Sequence, residues 1–235
     1  MQTLAPQQSL VDQVYEAILA EITGGRLGTD ARLIQEELAQ SLGVSRQPVQ
    51  QALLLLRAQG LVVDAPGRGL MVAPLEPGHV RNLYEIRAVL DGLASAKSAE
   101  RGRDIAARDG PGFIARGREA VRSQDIARMI GADMDFHFFL YRLSGNPLVA
   151  EASGAHWSYL RRAMGEVLLR GDLATDIWDQ HALILQAVID GDAARAETLA
   201  REHISHASDV LARGLAPAAT PAMAPVRRAR RAAGA

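Results

Sequence analysis

The chain contains no cysteine, which excludes disulfide staples and thiolate chemistry and fits a reducing compartment such as the cytoplasm. It has no long hydrophobic run. The longest purely apolar block, Ala52 to Leu56, falls far short of the ~20 residues that cross a bilayer. The first residues, MQTLAPQQSL, show no basic patch ahead of an apolar stretch. A soluble chain with no membrane partner is therefore expected. Positive charge is not in excess either: 26 basic against 27 acidic side chains leave a net charge of −1, so any affinity for nucleic acid has to be local. Internal repeats are missing, as are the G-x-S-x-G and H-E-x-x-H patterns of serine and zinc hydrolases.

What is present is enough material for two domains: 235 residues, 48% hydrophobic and 23% charged. Two composition shifts divide them. The stretch APLEPGH, with two prolines and a glycine, marks a linker at 75–79. Beyond Gly214 the chain becomes Ala- and Pro-rich and carries four arginines without apolar periodicity, so 214–235 is expected to be a disordered basic tail. The domains are thus 1–74 and 80–213.

The first domain reads helix, helix, helix, hairpin. Leu10, Val11, Val14, Ile18 and Ile22 recur at helical spacing until Gly24-Gly25. A second helix, QEELAQSL, ends at Gly43. In VSRQPVQQALLLLRAQGLV, Ser45 is placed to cap a third helix and Pro48 falls in its first turn, where a missing N–H does little harm. Val49, Ala52, Leu53 and Leu56 form its buried stripe and leave Arg46, Gln47 and Gln50 outside. Two short β-rich runs, 61–63 and 70–72, then flank a turn with Arg68 at its tip. This is the pattern of a winged helix-turn-helix. Residues 1–74 hold five arginines and seven acids, a net −2, so binding to DNA would rest on a few placed cations and on a doubled site.

The segment LIQEELAQSLGVSRQPVQQALLLLRAQGLVVDAPGRGLMV resembles the DNA-binding domain of the GntR family of bacterial transcription regulators, through its GVSR-x-PV, GLV and P-x-RG elements. The resemblance spans roughly 9–74. It implies double-stranded DNA as partner, read by a homodimer on an inverted-repeat operator, with Arg32, Ser45, Arg46, Gln47, Gln50, Arg68 and Gly69 as candidate contacts. Where the family carries Arg-Glu after PV, this chain has Gln50-Gln51; an amide there suits adenine in place of a guanidinium suited to guanine or phosphate.

From 77 to 213 the pattern is helical throughout, with no strand signal, and six or seven helices are expected. Residues 102–124, with GPG in the middle, read as two short helices about a loop. The fold class is therefore mainly α, a winged helix-turn-helix followed by an all-helical bundle. Asp133 and His137 stand four residues apart, about 40° apart around a helix, while Asp135 points the opposite way. His181 and His203 lie beside the apolar stripes of the last two helices, with His206 as an alternative. Three imidazoles and a carboxylate suit a divalent transition metal ion, zinc or nickel foremost. Taken singly, each of these histidines is more often a satisfied core or surface residue than a ligand, and spacing alone does not settle it.

The segments around DMDFHFFLYRLSGNPL and QHALILQAVIDGDAARAETLAREH are similar to the FadR C-terminal domain (FCD), the helical effector module behind many GntR winged helices. That resemblance implies Asp133, His137, His181 and His203 as metal ligands and a small organic acid as effector. Arg87 matches an arginine that holds the effector carboxylate; an i,i+4 pair with Asp91 is its other reading. Asn146, in SGNP, is a further candidate for the acid, though such a residue more often ends a helix. The function implied is a regulator, acting as a repressor, whose operator binding the acid controls. A metal-dependent hydrolase and a regulator with a purely structural ion are the alternatives.

Overall fold

The computed structural model describes residues 9–169 and 176–215. The winged helix-turn-helix comprises α1 (Leu10–Thr23), β1 (Arg32–Leu33), α2 (Gln35–Leu42), α3 (Arg46–Ala58), β2 (Val62–Asp64) and β3 (Leu70–Val72). The bundle comprises α4 (Pro77–Arg101), α5 (Arg103–Ser123), α6 (Ile126–Leu143), α7 (Pro147–Leu169), α8 (Ile177–Asp190) and α9 (Ala193–Leu215). The expected basic tail from 216 onward lies outside the described residues. Among the described residues, no helix is long and apolar enough to cross a membrane.

A capping box that sequence reading passed over starts α1. Ser9 Oγ accepts from the Asp12 amide at 3.1 Å, and the Asp12 carboxylate accepts from the Ser9 amide at 3.2 Å. Val14, Ile18, Leu19 and Ile22 then face inward, and Leu10, expected on that stripe, is exposed. Ser45 stands at the N-cap of α3 with an extended backbone, but its hydroxyl makes no capping bond and remains exposed. Val49, Ala52, Leu53 and Leu56 are fully buried as expected. The wing is part of a three-stranded antiparallel sheet ordered β1-β3-β2, in which Arg32 lies opposite Met71. A two-residue strand has no period to read, so only the β2–β3 hairpin is visible in the sequence.

The bundle has six described helices. Three of the five positions assigned to the linker, 77–79, are already helical, because Pro77 has the fixed φ that suits the first turn of α4. α5 corrects the expectation of two short helices: it runs unbroken through Pro111. Its glycines serve contact with α8. A Cβ on Gly110 would lie 2.5 Å from Leu185 Cδ1, and one on Gly117 would lie 2.0 Å from the Trp178 ring. The packing that these glycines permit holds the helix together across the proline. Gly117→Ala should therefore force α5 and α8 apart and cost about 1–3 kcal/mol, read as a lowered denaturant midpoint; an unchanged midpoint would show that the two helices are not in tight contact.

The two parts share one hydrophobic core. Val14 and Ile18 of α1 and Leu53 and Leu56 of α3 belong to the same buried cluster as Leu160 and Val167 of α7 and Ile204 and Leu211 of α9. Polar contacts reinforce the seam. The Glu76 amide donates to Tyr159 Oη at 3.1 Å, Arg162 Nη2 donates to Thr29 Oγ1 at 3.1 Å, and Tyr15 Oη donates to Gln59 Oε1 at 2.6 Å while lying 3.2 Å from Ser158 Oγ. α7 is thus the bundle helix on which the winged helix rests.

Candidate functional site

Two surfaces carry the chemistry. On the first, the N-terminal turn of α3 leaves Ser45, Arg46, Gln47 and Gln50 exposed. Arg46 Nη1 lies 3.3 Å from Glu36 Oε2 of α2, and both side chains are open to solvent, so water or a phosphate can replace this weak ion pair. The wing turns at Gly67 and Gly69, whose φ of 91° and 92° are natural only to glycine. Arg32 plays a different part from Arg46. Its Nη1 and Nη2 donate to the Arg68 and Pro66 carbonyls, each at 3.1 Å, so it braces the wing and adds a cation beside the exposed Arg68.

The second surface is inside the bundle. Asp133 and His137 of α6 meet His181 of α8 and His203 of α9, and one ligand atom from each lies within 4.8 Å of the others. All four are buried. His181 Nε2 is 3.0 Å from His203 Nε2 and 3.5 Å from Asp133 Oδ1, and His137 Nε2 is 3.8 Å from the same oxygen. Atoms bound to one ion at ~2.1 Å lie at most ~4.2 Å apart, so these three pairs fit and the widest needs an adjustment of well under an ångström. His206, the alternative ligand, is exposed and stands outside this group.

The surroundings point the same lone pairs at the same place. His137 Nδ1 contacts Asp91 Oδ1 at 2.6 Å and His203 Nδ1 contacts Gln180 Oε1 at 2.9 Å. Each contact holds the proton on Nδ1 and turns Nε2 toward the cluster. Among the described residues no hydrogen-bond partner reaches His137 Nε2. Burial, aided by neighbouring imidazoles and Arg87, pushes His181 and His203 well below the ordinary histidine range, which keeps them neutral. Burial also raises the Asp133 carboxyl. Neutral imidazoles and an anion short of positive charge are the state in which a cation is welcome.

Arg87 of α4 completes the floor. It is 2% exposed, with its Cζ 4.2 Å over the Trp157 ring and 5.1 Å from the Tyr84 ring. Its Nε is 3.6 Å from Asp91 Oδ2, within ion-pair range but too long for a hydrogen bond. Nε and Nη2 have no hydrogen-bond partner among the described residues. Arg87 thus faces Asp91, as one of its two sequence readings has it, and keeps two donors unused. Asp91, buried, would titrate high, but Arg87, His137 and the 2.9 Å hydrogen bond from Tyr141 Oη outweigh burial and hold it at about 2. Tyr141, Gln180 and Trp157 went unnoticed in the sequence. Asp91 was visible there only as the i,i+4 partner of Arg87, without its contact to His137.

A cavity of about 90 Å³ opens beside Arg87, Asp133, His137 and His203. Asn146 is not on its wall. Its Oδ1 accepts from the Leu148 amide at 3.2 Å and its carbonyl from the Val149 amide, so it starts α7 and is withdrawn as a contact for the acid.

A winged helix-turn-helix seated on a helical bundle is the architecture of a DNA-binding regulator. A family model described as bacterial regulatory proteins, gntR family, matches residues 10–72, and one described as FCD domain matches residues 82–206. The chain belongs to the GntR family, with an FCD domain behind its winged helix. It is 32% identical over 188 residues to an HTH-type transcriptional regulator in an unstable DNA locus of Streptomyces ambofaciens, covering 80% of this chain and 78% of that one. It is 26% identical over 200 residues to a probable D-xylose utilization operon transcriptional repressor of Paenarthrobacter nicotinovorans, covering 84% and 86%. The solved structure of E. coli McbR/YncC shares the fold, with a TM-score of 0.74 at 22% identity over 88% of this chain and 99% of that one. The protein is a DNA-binding transcription regulator.

Proposed function

We propose that this regulator is a homodimeric repressor whose hold on an inverted-repeat operator is controlled by a small organic acid, bound beside a divalent metal ion in the bundle. The observation that carries this reading is the buried Arg87 guanidinium, which keeps two donors unused next to four ligand atoms within 4.8 Å of one another. Asp133, His137, His181 and His203 would hold the ion, zinc or nickel, and the ion would supply a Lewis-acidic anchor for a carboxylate. Arg87 offers two donors to the same carboxylate, a charge-assisted pair. Asp91 keeps His137 in its tautomer and tempers the charge of Arg87. Elemental analysis of purified protein, with calorimetric titration of candidate acids before and after chelation, tests this: a bound divalent ion and acid binding lost on chelation are expected, and acid binding indifferent to the metal would refute it.

The operator contacts proposed are Ser45, Arg46, Gln47 and Gln50 at the start of α3 and Arg68 and Gly69 on the wing, with Arg32 holding the wing in place. For the dimer, an apolar stripe on α4 supports a second copy as partner. Ile86, Val89 and Leu93 recur on one face and are 48%, 52% and 38% exposed. Antiparallel pairing about Val89 would set it against the partner's Val89 and bring Ile86 beside the partner's Leu93 at either end of the stripe. Val89→Asp should then weaken dimerisation at least tenfold, since it replaces a buried apolar contact by two facing carboxylates. Light scattering that shows an unchanged dimer would move the interface elsewhere.

A further inference from the structure

The proposed function leaves open what kind of acid the bundle takes, and the rest of the cavity wall speaks to that. Away from its polar floor the cavity is lined by Met129, Met164, Val167, Ile204, Val210 and Leu211. Among the described residues the lining holds no serine, threonine, asparagine or lysine, and its one tyrosine, Tyr84, stands at the floor beside Arg87. Gln180 already contacts His203, and His206 is exposed at the edge. A hydroxyl on the tail of a ligand would leave water and find no free partner among these apolar side chains.

Charge narrows the head group as the wall narrows the tail. Among the buried residues here, Arg87 carries one positive charge and Asp91 and Asp133 two negative ones. With a divalent ion and neutral imidazoles the site has one positive charge over, which a single carboxylate cancels. A second carboxylate would be a buried, uncompensated anion. Size sets the length: an apolar cavity of about 150 Å³ holds a benzene, and this one is about 90 Å³.

We infer that the effector is a short aliphatic monocarboxylate: one carboxylate on Arg87 and the metal site, and an unsubstituted tail of a few carbons against α7 and α9. This rests on the proposed acid site and adds the chemistry of its occupant. The tail would lie on Val167, Ile204 and Leu211, which belong to the core shared with α1 and α3. Filling the cavity therefore loads the surface on which the winged helix rests.

The experiment is a calorimetric titration of zinc-loaded, full-length protein with acetate, butanoate, 4-hydroxybutanoate, succinate and octanoate, repeated on Arg87→Gln and Ala207→Leu. Butanoate is expected to bind on the order of ten- to a hundredfold more tightly than 4-hydroxybutanoate, the range for one buried group left unpaired. It should exceed succinate by more, and octanoate should gain nothing over it. Ala207 lines the cavity and is half-buried, so Ala207→Leu should lose butanoate about tenfold while acetate binds as before. If 4-hydroxybutanoate or succinate matches butanoate, or octanoate far exceeds it, the inferred chemistry of the acid is wrong and the acid site stands. If no acid binds at millimolar concentration, or Arg87→Gln binds as well as the parent while melting at the same temperature, the acid site itself is refuted.

Discussion

Protein carrying His181→Ala is expected to purify without its metal ion, to ignore the effector acid, and to bind the operator as tightly as the parent chain does without acid. His181 is fully buried, its Nε2 3.0 Å from that of His203 and 3.5 Å from Asp133 Oδ1, so no water can take its place at full ligand strength. Losing even an outer partner of a ligand typically weakens metal binding 10- to 100-fold; losing a ligand should do at least as much. The winged helix rests on α7, away from His181, which is why operator binding should survive. Elemental analysis, acid titration and gel shift read the three outcomes separately. A variant that keeps both metal and acid response would remove His181 from the site, and one that loses all three together would mean only that the core had failed.

Arg46→Ala should lower operator affinity on the order of ten- to a hundredfold per half-site, and a dimer engages two. The winged-helix segment is acidic, with a net charge of −2 over residues 1–74, so it has no diffuse positive field to compensate for a lost guanidinium. Arg46 stands exposed at the first turn of α3, in a solvent-exposed ion pair with Glu36. Removing it leaves the buried face of that helix untouched, so thermal stability should hold. Gel shifts against specific and scrambled duplexes would separate loss of recognition from loss of general affinity. Equal binding by variant and parent would mean that α3 is not the reading helix.

What the sequence made legible follows its periodicities. The stripe Val49, Ala52, Leu53 and Leu56 has only one helical solution, and the i,i+4 pair Asp133 and His137 put two donors on one face before any fold was known. Convergence with His181 and His203 was different. It depends on how α6, α8 and α9 cross, and nothing local to those residues encodes it. Elsewhere local signals pointed away from the structure. Gly110, Pro111 and Gly112 read as a break, but two of the α5 glycines are there because Leu185 and Trp178 press on the helix. Ser45 has the type and the backbone of a capping residue without the bond. Asn146 in SGNP read as a helix-ending residue or a contact for the acid, and its hydrogen bonds instead place it at the start of α7. β1 owes its two residues of strand wholly to pairing with β3 across the chain. The seam between winged helix and bundle was hidden for the same reason, since Tyr159 and Arg162 lie far in sequence from Glu76 and Thr29.

Coupling of acid to operator requires that the acid bind the two states of the dimer with different affinity. α7 is placed to set that difference. Its Trp157 lies against Arg87 at one site, while Tyr159 and Arg162 hold the winged helix at the other. The most direct measurement is fluorescence anisotropy of a labelled operator titrated with the metal-loaded protein, with and without butanoate, and again after chelation. The proposed mechanism predicts that the acid shifts the binding midpoint at least fivefold with metal present, the lower end of usual allosteric couplings, and leaves it unmoved without metal. A midpoint that responds equally to the acid in the metal-free protein would contradict it.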